Sequence, residues 1–391
     1  MPIPSSLFII TTALHFFFMH AADSATHWQD VQVLKQLKST ISPSTVPPSS
    51  CIDSWDFNLD PATTSSPTNS PAASAATPSS TPPPGGPIPE SFSLLTRLQR
   101  LGLSRNSLTG SIPDSLGSLA ALEEMYLDNN MLSGAIPLSF NGLKNLKRLE
   151  VQGNKISGAF PELSQLGSLN FLDASENAIS GELPPGMPPS LIEIAMRSNQ
   201  IEGNIPGSVA NLVSLQVLDL SHNNLSGSVP AGLFTHPSLE QLTLSYNQFG
   251  SVQVPGNSGW TSQLISVDLS NNEIRGFLPG FMGLMPRLSA LSLENNKFSG
   301  MIPTQYVLKV LSPGTGTGTG EGGLAQFERL LLGGNYLLGP VPGAFLDLKV
   351  GSVTVRLGDN CLYRCPVTLF FCEGGVQKSL MECKAFGPII P

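Results

Sequence analysis

An asparagine recurs along most of this chain at a nearly constant interval, and this column constrains the fold more than any other feature. Successive members are 24, 24, 23, 22, 24, 24, 25, 24, 39 and 25 residues apart, within the pattern Leu-x-Leu-x-x-Asn-x-Leu. Eleven units in one register predict stacked coils in which each unit packs on its neighbours. The members are Asn106, Asn130, Asn154, Asn177, Asn199, Asn223, Asn247, Asn272, Asn296, Asn335 and Asn360.

Each position of the repeating unit has a physical reason. Alternate leucines of a short strand, such as Leu218 and Leu220, point to one side and are expected in the core. A buried amide must satisfy its donors and its acceptor, so we expect each column asparagine to bond the backbones of adjacent coils. Parallel strands ~4.8 Å apart would place eleven coils over about 50 Å.

The second half of the unit carries a glycine four residues after the asparagine, often followed by x-Ile-Pro. Examples begin at Gly110, Gly134, Gly203, Gly227 and Gly300. This signature resembles the extracellular repeats of plant receptor kinases, receptor-like proteins and polygalacturonase-inhibiting proteins, over roughly residues 86 to 383. The resemblance implies a leucine-rich-repeat solenoid, α/β by convention but mostly β. It would be a curved right-handed coil with a parallel β-sheet on the concave face and 3₁₀ or extended segments on the convex face.

The N-terminal region indicates secretion. Leu7 to Met19 is an apolar run too short to span a bilayer, and it predicts a signal peptide over residues 1–24. No later apolar run approaches the ~20 residues of a membrane helix, so we expect no membrane anchor. The expected location is the apoplast or the cell wall, or peripheral attachment at the outer face of the plasma membrane.

Between the signal and the repeats lie two unlike segments. Residues 25–61 resemble the N-terminal cap of the plant family, with an apolar helical stripe from Asp30 to Ile41 and a Ser-Trp…Asp-Pro ending at Pro61. Residues 62–85 are low-complexity Ala, Thr, Ser and Pro, which predicts a disordered linker. The segment is either a genuine linker, or the product of a faulty gene model or a decayed cap. Cys51 is left without a cap partner, as a free thiol or an interchain cysteine.

The solenoid is expected over residues 86–360, with one interruption and a terminal cap. The 39-residue spacing reflects a Gly-rich insert at 312–323, which predicts a flexible loop. Residues 361–391 predict a cysteine-rich C-terminal cap. Its Cys361, Cys365, Cys372 and Cys383 are expected in two disulfides, with three pairings open and a zinc site as the alternative.

Charge and motifs exclude several functions. Only 12% of residues are charged and the net charge is −8, which argues against a nucleic-acid partner. The chain has no phosphate-binding, hydrolase or metalloprotease motif, so we predict no enzyme, no cofactor and no metal. Asn224-Leu-Ser226 is an N-glycosylation sequon, with Asn224 at the solvent-facing side of the turn.

Binding is therefore predicted at the concave face. Residues six, four, two and one before each column asparagine should point outward, and in coils two to four they form a patch that is acidic with aromatics beside it. The candidate partner-binding residues are Glu124, Tyr126, Asp128, Arg148, Glu150, Phe171, Asp173, Asp219, His222, Tyr246 and Asp268. Glu294 lies on the same face further along the chain.

Three functions fit this surface. A receptor-like or co-receptor module would bind an extracellular protein, peptide or glycan, and would signal through a membrane receptor kinase. An inhibitor similar to polygalacturonase-inhibiting proteins would bind a cell-wall hydrolase, with the acidic patch steering a basic enzyme. A cell-wall scaffold would use the Pro/Ser/Thr stretch as a tether. The first is favoured over the second, because the N-cap cysteine pair of the inhibitors is missing.

Overall fold

One parallel sheet runs through all the repeated coils. The structure, a computed structural model, describes residues 86–256, 259–311, 324–349 and 351–384. Its first sheet has eleven parallel strands in chain order. They are β1 (Arg100–Gly102), β2 (Glu124–Tyr126), β4 (Arg148–Glu150), β6 (Phe171–Asp173), β8 (Glu193–Ala195), β10 (Val217–Asp219), β12 (Gln241–Thr243), β14 (Ser266–Asp268), β16 (Ala290–Ser292), β18 (Arg329–Leu331) and β20 (Thr354–Arg356).

The register of this sheet builds the core. The middle residues of neighbouring strands are Cα partners, as in Leu218 with Leu242, and they point inward between two outward residues. Leu218 and Leu220 are both 1% exposed, which confirms the predicted inward leucines. The fold is the predicted leucine-rich-repeat solenoid, with its apolar columns enclosed along the whole stack.

Strands that follow the column asparagine form two further parallel sheets. A six-stranded sheet contains β3 (Ser133–Gly134), β5 (Lys155–Ala159), β7 (Ala178–Glu182), β9 (Gln200–Gly203), β11 (Asn224–Val229) and β13 (Gln248–Val252). A four-stranded sheet contains β15 (Arg275–Phe277), β17 (Lys297–Gly300), β19 (Tyr336–Pro340) and β21 (Cys361–Tyr363). They separate at the seventh repeat, where Gly250 comes one residue early and the β11–β13 register shifts after Gly227.

Prolines start the short helices on the opposite side. Proline fixes φ near −65° and needs no N–H partner, so it suits the first position before a helical turn. Six 3₁₀ helices follow a proline N-cap: Glu90–Leu94, Asp114–Ser118, Leu138–Gly142, Gly207–Asn211, Gly280–Leu284 and Gly343–Asp347. The others are the 3₁₀ helix Phe370–Cys372 and three α-helices, α1 (Ala231–Phe234), α2 (Thr304–Leu311) and α3 (Leu380–Lys384).

Helix α2 buries a lysine. Tyr306, Lys309 and Val310 lie on its inward side, and Lys309 is 0% exposed. The Lys309 Nζ donates to the Met285 carbonyl at 2.6 Å and lies 5.4 Å from the centre of the Phe327 ring. Burial lowers the pKa of Lys309 to about 8.

The asparagine column joins each coil to the one before it. Asn130 Nδ2 donates to Leu127 and Asp128 in its own coil and to Leu103 in the preceding coil, at 2.9–3.1 Å. Its Oδ1 accepts from Leu108 N–H of the preceding coil at 3.1 Å. Within the described residues, which begin at Gly86, Asn106 bonds only Leu103 and Ser104 of its own coil. The ladder therefore uses backbone groups that a lone coil would leave unpaired.

The C-terminal segment closes the last coil with two disulfides. Cys361 pairs with Cys383 and Cys365 with Cys372, which settles the three open pairings. Gln377 takes the place of a twelfth column asparagine: its Oε1 accepts from Leu362 N–H at 3.0 Å, and its Nε2 donates to the Leu357 carbonyl at 3.2 Å. Backbone bonds from Leu357 to Phe371 and from Asp359 to Gly375 continue the ladder pattern.

Several sequence predictions fall outside the described residues. These are the signal peptide (1–24), the cap-like segment (25–61), the linker (62–85), Cys51 and the insert (312–323). The chain divides into two units, Met1–Thr77 and Pro78–Pro391, and every element above belongs to the second. At the start of the described residues the Gly86 carbonyl accepts from Thr109 N–H and Ile88 is buried, and the start of the repeats in mid-unit stays a prediction.

Candidate binding surface

The outward residues of the first sheet form the candidate surface. In β2, β4 and β6 the middle residue is buried, so its two neighbours face solvent on the same side. The pairing aligns Tyr126, Glu150 and Asp173 in one row. A parallel row holds Glu124, Arg148 and Phe171. We call these two rows, extended by Glu193 of β8, the concave patch.

Arginines neutralise part of the concave patch. Arg100 pairs with Glu124, which also accepts from the Tyr126 hydroxyl at 3.0 Å. The Arg148 Nε donates to Glu150 at 2.5 Å, and its guanidinium carbon lies 3.6 Å from the centre of the Phe171 ring. A guanidinium stacked on an aromatic face is held in one orientation by cation–π attraction. The patch is thus a mixed-charge surface, whereas the sequence suggested an acidic one.

Two carboxylates of the patch lack a basic partner among the described residues. Asp173 accepts from Ser175 N–H at 2.9 Å, and Glu193 makes no side-chain hydrogen bond or ion pair. Burial raises the pKa of Asp173, against the hydrogen bonds from Ser175. Burial also raises the pKa of Glu193, while Arg148 lowers it. Partial desolvation without a compensating cation makes both groups favourable sites for an incoming donor or cation.

Glu193 was missed as a candidate although the sequence signal was present. It lies six residues before Asn199, a position that the outward rule assigns to the surface. Asp128 is the opposite case. It was predicted to face a partner, yet it is 7% exposed, because it accepts from the Ser104 hydroxyl and from Asn129 Nδ2. Neighbouring polar side chains therefore cover the Asp128 carboxylate, contrary to the predicted exposed position, and partner binding at Asp128 stays a prediction.

Further along the face, two aromatics form a stacked pair. The ring centres of His222 and Tyr246 are 4.1 Å apart with planes 12° from parallel, and Tyr246 is 51% exposed. Both residues have positive φ, 54° and 56°, in the turn before the column asparagine. Asp219 and Asp268 are half-buried and accept from Ser221 and Ser270 N–H in their own turns. These two hydrogen bonds stabilise the turns that follow β10 and β14.

The sequence and fold of this chain resemble those of known proteins. Residues 89–132 and 189–249 match the profile described as Leucine rich repeat, and no curated protein matches the chain. The plant peptide hormone receptor RGFR1 in complex with RGF2 superimposes with a TM-score of 0.59 at 30% identity, covering 71% of this chain and 46% of that chain. The TDR receptor gives a TM-score of 0.60 at 30% identity, covering 71% and 50%.

A third structure agrees with these two. It is the ectodomain of the membrane receptor kinase GASSHO1/SCHENGEN3 from Arabidopsis thaliana in complex with CASPARIAN STRIP INTEGRITY FACTOR 2, with a TM-score of 0.62 at 28% identity, covering 74% of this chain and 33% of that chain. The chain is a leucine-rich-repeat solenoid, and its fold is similar to that of plant receptor ectodomains. The leucine-rich-repeat protein spans half or less of the length of these receptor chains.

Two further features concern the helices and the glycosylation sequon. None of its helices within the described ranges has the length and apolar character of a bilayer-crossing segment. Asn224 is exposed at the first position of β11, where its side chain is accessible from solvent. Glycosylation of Asn224 stays a prediction.

Proposed function

We propose that this leucine-rich-repeat protein is a non-enzymatic extracellular recognition module that binds a peptide or protein on its concave patch. Its repeat architecture is typical of binding proteins, and receptor ectodomains of the same type are solved with bound ligands. The two disulfides of the C-terminal cap suit an oxidising compartment. The predicted signal peptide points the same way.

One observation carries the proposal: half-buried charges stand unpaired beside a fixed guanidinium–aromatic stack. Asp173 and Glu193 are partly desolvated, and the Arg148–Phe171 stack lies in the same row as Glu193, beside the row of Asp173. A partner that supplies cations or N–H donors would complete the hydrogen bonding of these carboxylates. The strands beneath are held by ladder bonds on both sides, so the surface is preorganised and loses little entropy on binding.

The test is capture of a partner from plant apoplastic fluid and solubilised membranes with three forms of the protein. The first is wild type. The second carries Glu124→Lys, Glu150→Lys and Asp173→Lys. The third is a matched control with Glu162→Lys, Glu182→Lys and Glu202→Lys. It reverses the charge of three exposed carboxylates that lie outside the first sheet.

The proposal expects a partner that is retained by wild type and by the control but lost by the concave triple variant, with circular dichroism unchanged. A receptor kinase among such partners supports a co-receptor function. A cell-wall hydrolase supports the inhibitor alternative, which an activity assay then checks. Capture that is equal in all three forms contradicts the choice of surface.

A further inference from the structure

A hollow lies at the C-terminal end of the first sheet, on the ninth to eleventh coils, whereas the concave patch lies on the second to fifth coils of the same face. Its volume is about 230 Å³. The lining comes from the last three coils and from the cap: Glu294, Asn295, Gly333, Gly334, Arg356, Gly358, Asp359, Glu373 and Gly374. We call it the terminal pocket.

The terminal pocket exists because two side chains are missing. The position two residues before the column asparagine holds a side chain in the first nine coils, for example Gln152, Ser221 and Glu294. In the tenth and eleventh coils it holds Gly333 and Gly358. A Cβ on Gly333 would lie 3.3 Å from Glu294 Oε1, inside the hollow. Packing also favours glycine at position 358, because a Cβ there would lie 2.6 Å from the Glu373 carbonyl.

Opposite charges line the terminal pocket without pairing to each other. Within the described residues, Glu294 and Arg356 make no side-chain hydrogen bond and no ion pair. Asp359, in contrast, is paired with Lys378 at 2.8 Å. Burial raises the pKa of Glu294, and the guanidiniums of Arg356 and Arg329 lower it without touching it. A carboxylate and a guanidinium held apart across one hollow are complementary to a ligand that carries both charges.

We propose that the terminal pocket binds a zwitterionic group of single-residue size, with its cation against Glu294 and its carboxylate against Arg356. A free amino acid or a basic residue at the C-terminus of a peptide is of this size, and the glycines of the lining leave the backbone accessible to it. This deepens the proposed function, because the pocket lies on the same face as the concave patch. The two sites share no residue, so each can fail without the other.

Two ligand sources share this chemistry, and small probes separate them. L-alanine presents the α-ammonium and α-carboxylate of a free amino acid. N-acetyl-L-arginine presents the guanidinium and carboxylate of a basic residue at the end of a peptide. N-acetyl-L-argininamide keeps the guanidinium but lacks the carboxylate, and serves as the control probe.

Binding of each probe is measured by saturation-transfer NMR on the full secreted protein. Four variants are compared with wild type: Glu294→Gln, Arg356→Gln, and the matched surface controls Glu202→Gln and Arg275→Gln, which lie in the other sheets. A fifth, Gly333→Gln, fills the hollow with the side chain that Gln152 provides at the same position of the third coil. Unchanged melting temperatures check that each variant is folded.

The proposal expects L-alanine, N-acetyl-L-arginine or both to bind wild type. Glu294→Gln and Arg356→Gln should each weaken binding by about tenfold or more, as for loss of a charged hydrogen-bond partner. Gly333→Gln should abolish binding, and the two surface controls should leave it unchanged. Absence of binding by both probes overturns the proposal. So does equal binding of the argininamide, or binding that survives both charge-removing variants.

Discussion

The first and the last described coils of the solenoid end the same ladder in different ways. At the first, Asn106 is exposed, and among the residues from Gly86 onward it bonds only Leu103 and Ser104 of its own coil. At the last, Asn360 is fully buried, and Gln377 supplies the amide that a further coil would bring. Each coil of a solenoid is stabilised by its neighbours, so the coil with a neighbour on both sides should open last.

The difference shows that closing a solenoid requires the hydrogen bonds of a coil without its repeat sequence. The cap pairs Leu357 with Phe371 and Asp359 with Gly375 by backbone bonds, although residues 371–375 have no leucine pattern. Two disulfides then fix this segment against the last coil. Disulfides and hydrogen bonds thus close the last coil together with the apolar packing of the buried Phe371 against Phe345.

The largest expected effect comes from breaking the ladder at an interior coil and at the first coil. Asn296→Ala removes three donated bonds and leaves Ile274 N–H unpaired in the core, so we expect a loss of about 4 kcal/mol in the free energy of unfolding. Asn106→Ala should cost less than about 1 kcal/mol, since its amide is exposed. Urea unfolding followed by circular dichroism measures both. Equal losses would mean that position in the stack does not matter.

The next effect tests how the C-terminal coil is closed. Replacing Cys361 and Cys383 with serine opens a loop of 22 residues and should cost about 3 kcal/mol. Replacing Cys365 and Cys372 opens a loop of 7 residues and should cost about 2 kcal/mol. Hydrogen exchange should show the loss first in β20 and β21. If exchange instead rises first in β1 and β2, the cap does not protect the end to which it is attached.

A third prediction concerns the buried Lys309, which lies in the C-terminal half of the solenoid. The pKa of Lys309 is about 8 in the folded chain and near 10.5 when unfolded, so the unfolded chain binds more protons between these values. Stability should therefore rise with pH from about 8 to 10.5, by about 3 kcal/mol, and should be lowest below pH 8, where the buried amine is charged. Lys309→Met should remove this rise. Thermal unfolding across the pH range measures it, and an unchanged slope in Lys309→Met would assign the effect to another group.

The smallest effect tests the amide of Gln377. Gln377→Ala removes two bonds from the last coil and should cost about 2 kcal/mol. Gln377→Glu keeps the acceptor for Leu362 N–H but loses the donor to Leu357, so its cost should fall between wild type and alanine. Chemical denaturation ranks the three proteins. A glutamate variant worse than alanine would show that charge at the cap outweighs the lost bond.

The repeated part of the fold could be predicted from the sequence, because an asparagine that recurs at a nearly constant interval has one physical explanation. The spacing of the asparagine column predicted the ladder, and the alternation around Leu218 predicted the core. Both features depend on the spacing of residues within the repeat, which can be seen directly in the sequence.

Features that depend on contacts between residues far apart in the sequence could not be predicted. Gln377 lies outside the repeat interval, so nothing marked it as a ladder amide. The disulfide pairing follows from how the cap folds back, which spacing does not fix. Asp128 was assigned to the surface because sequence cannot show that Ser104 covers it. Lys309 carried a missed signal, since it falls on the same helical stripe as Tyr306 and Val310.

The central claim is that the concave patch is the surface that meets a partner, and carboxyl footprinting tests it most directly. A captured partner is added, exposed carboxylates are labelled with a carbodiimide and an amine, and the modified residues are read by mass spectrometry. The account predicts that Glu124, Asp173 and Glu193 lose labelling in the complex, while Glu162, Glu182 and Glu202 keep theirs. Loss of labelling at the second set, with the first unchanged, would contradict it.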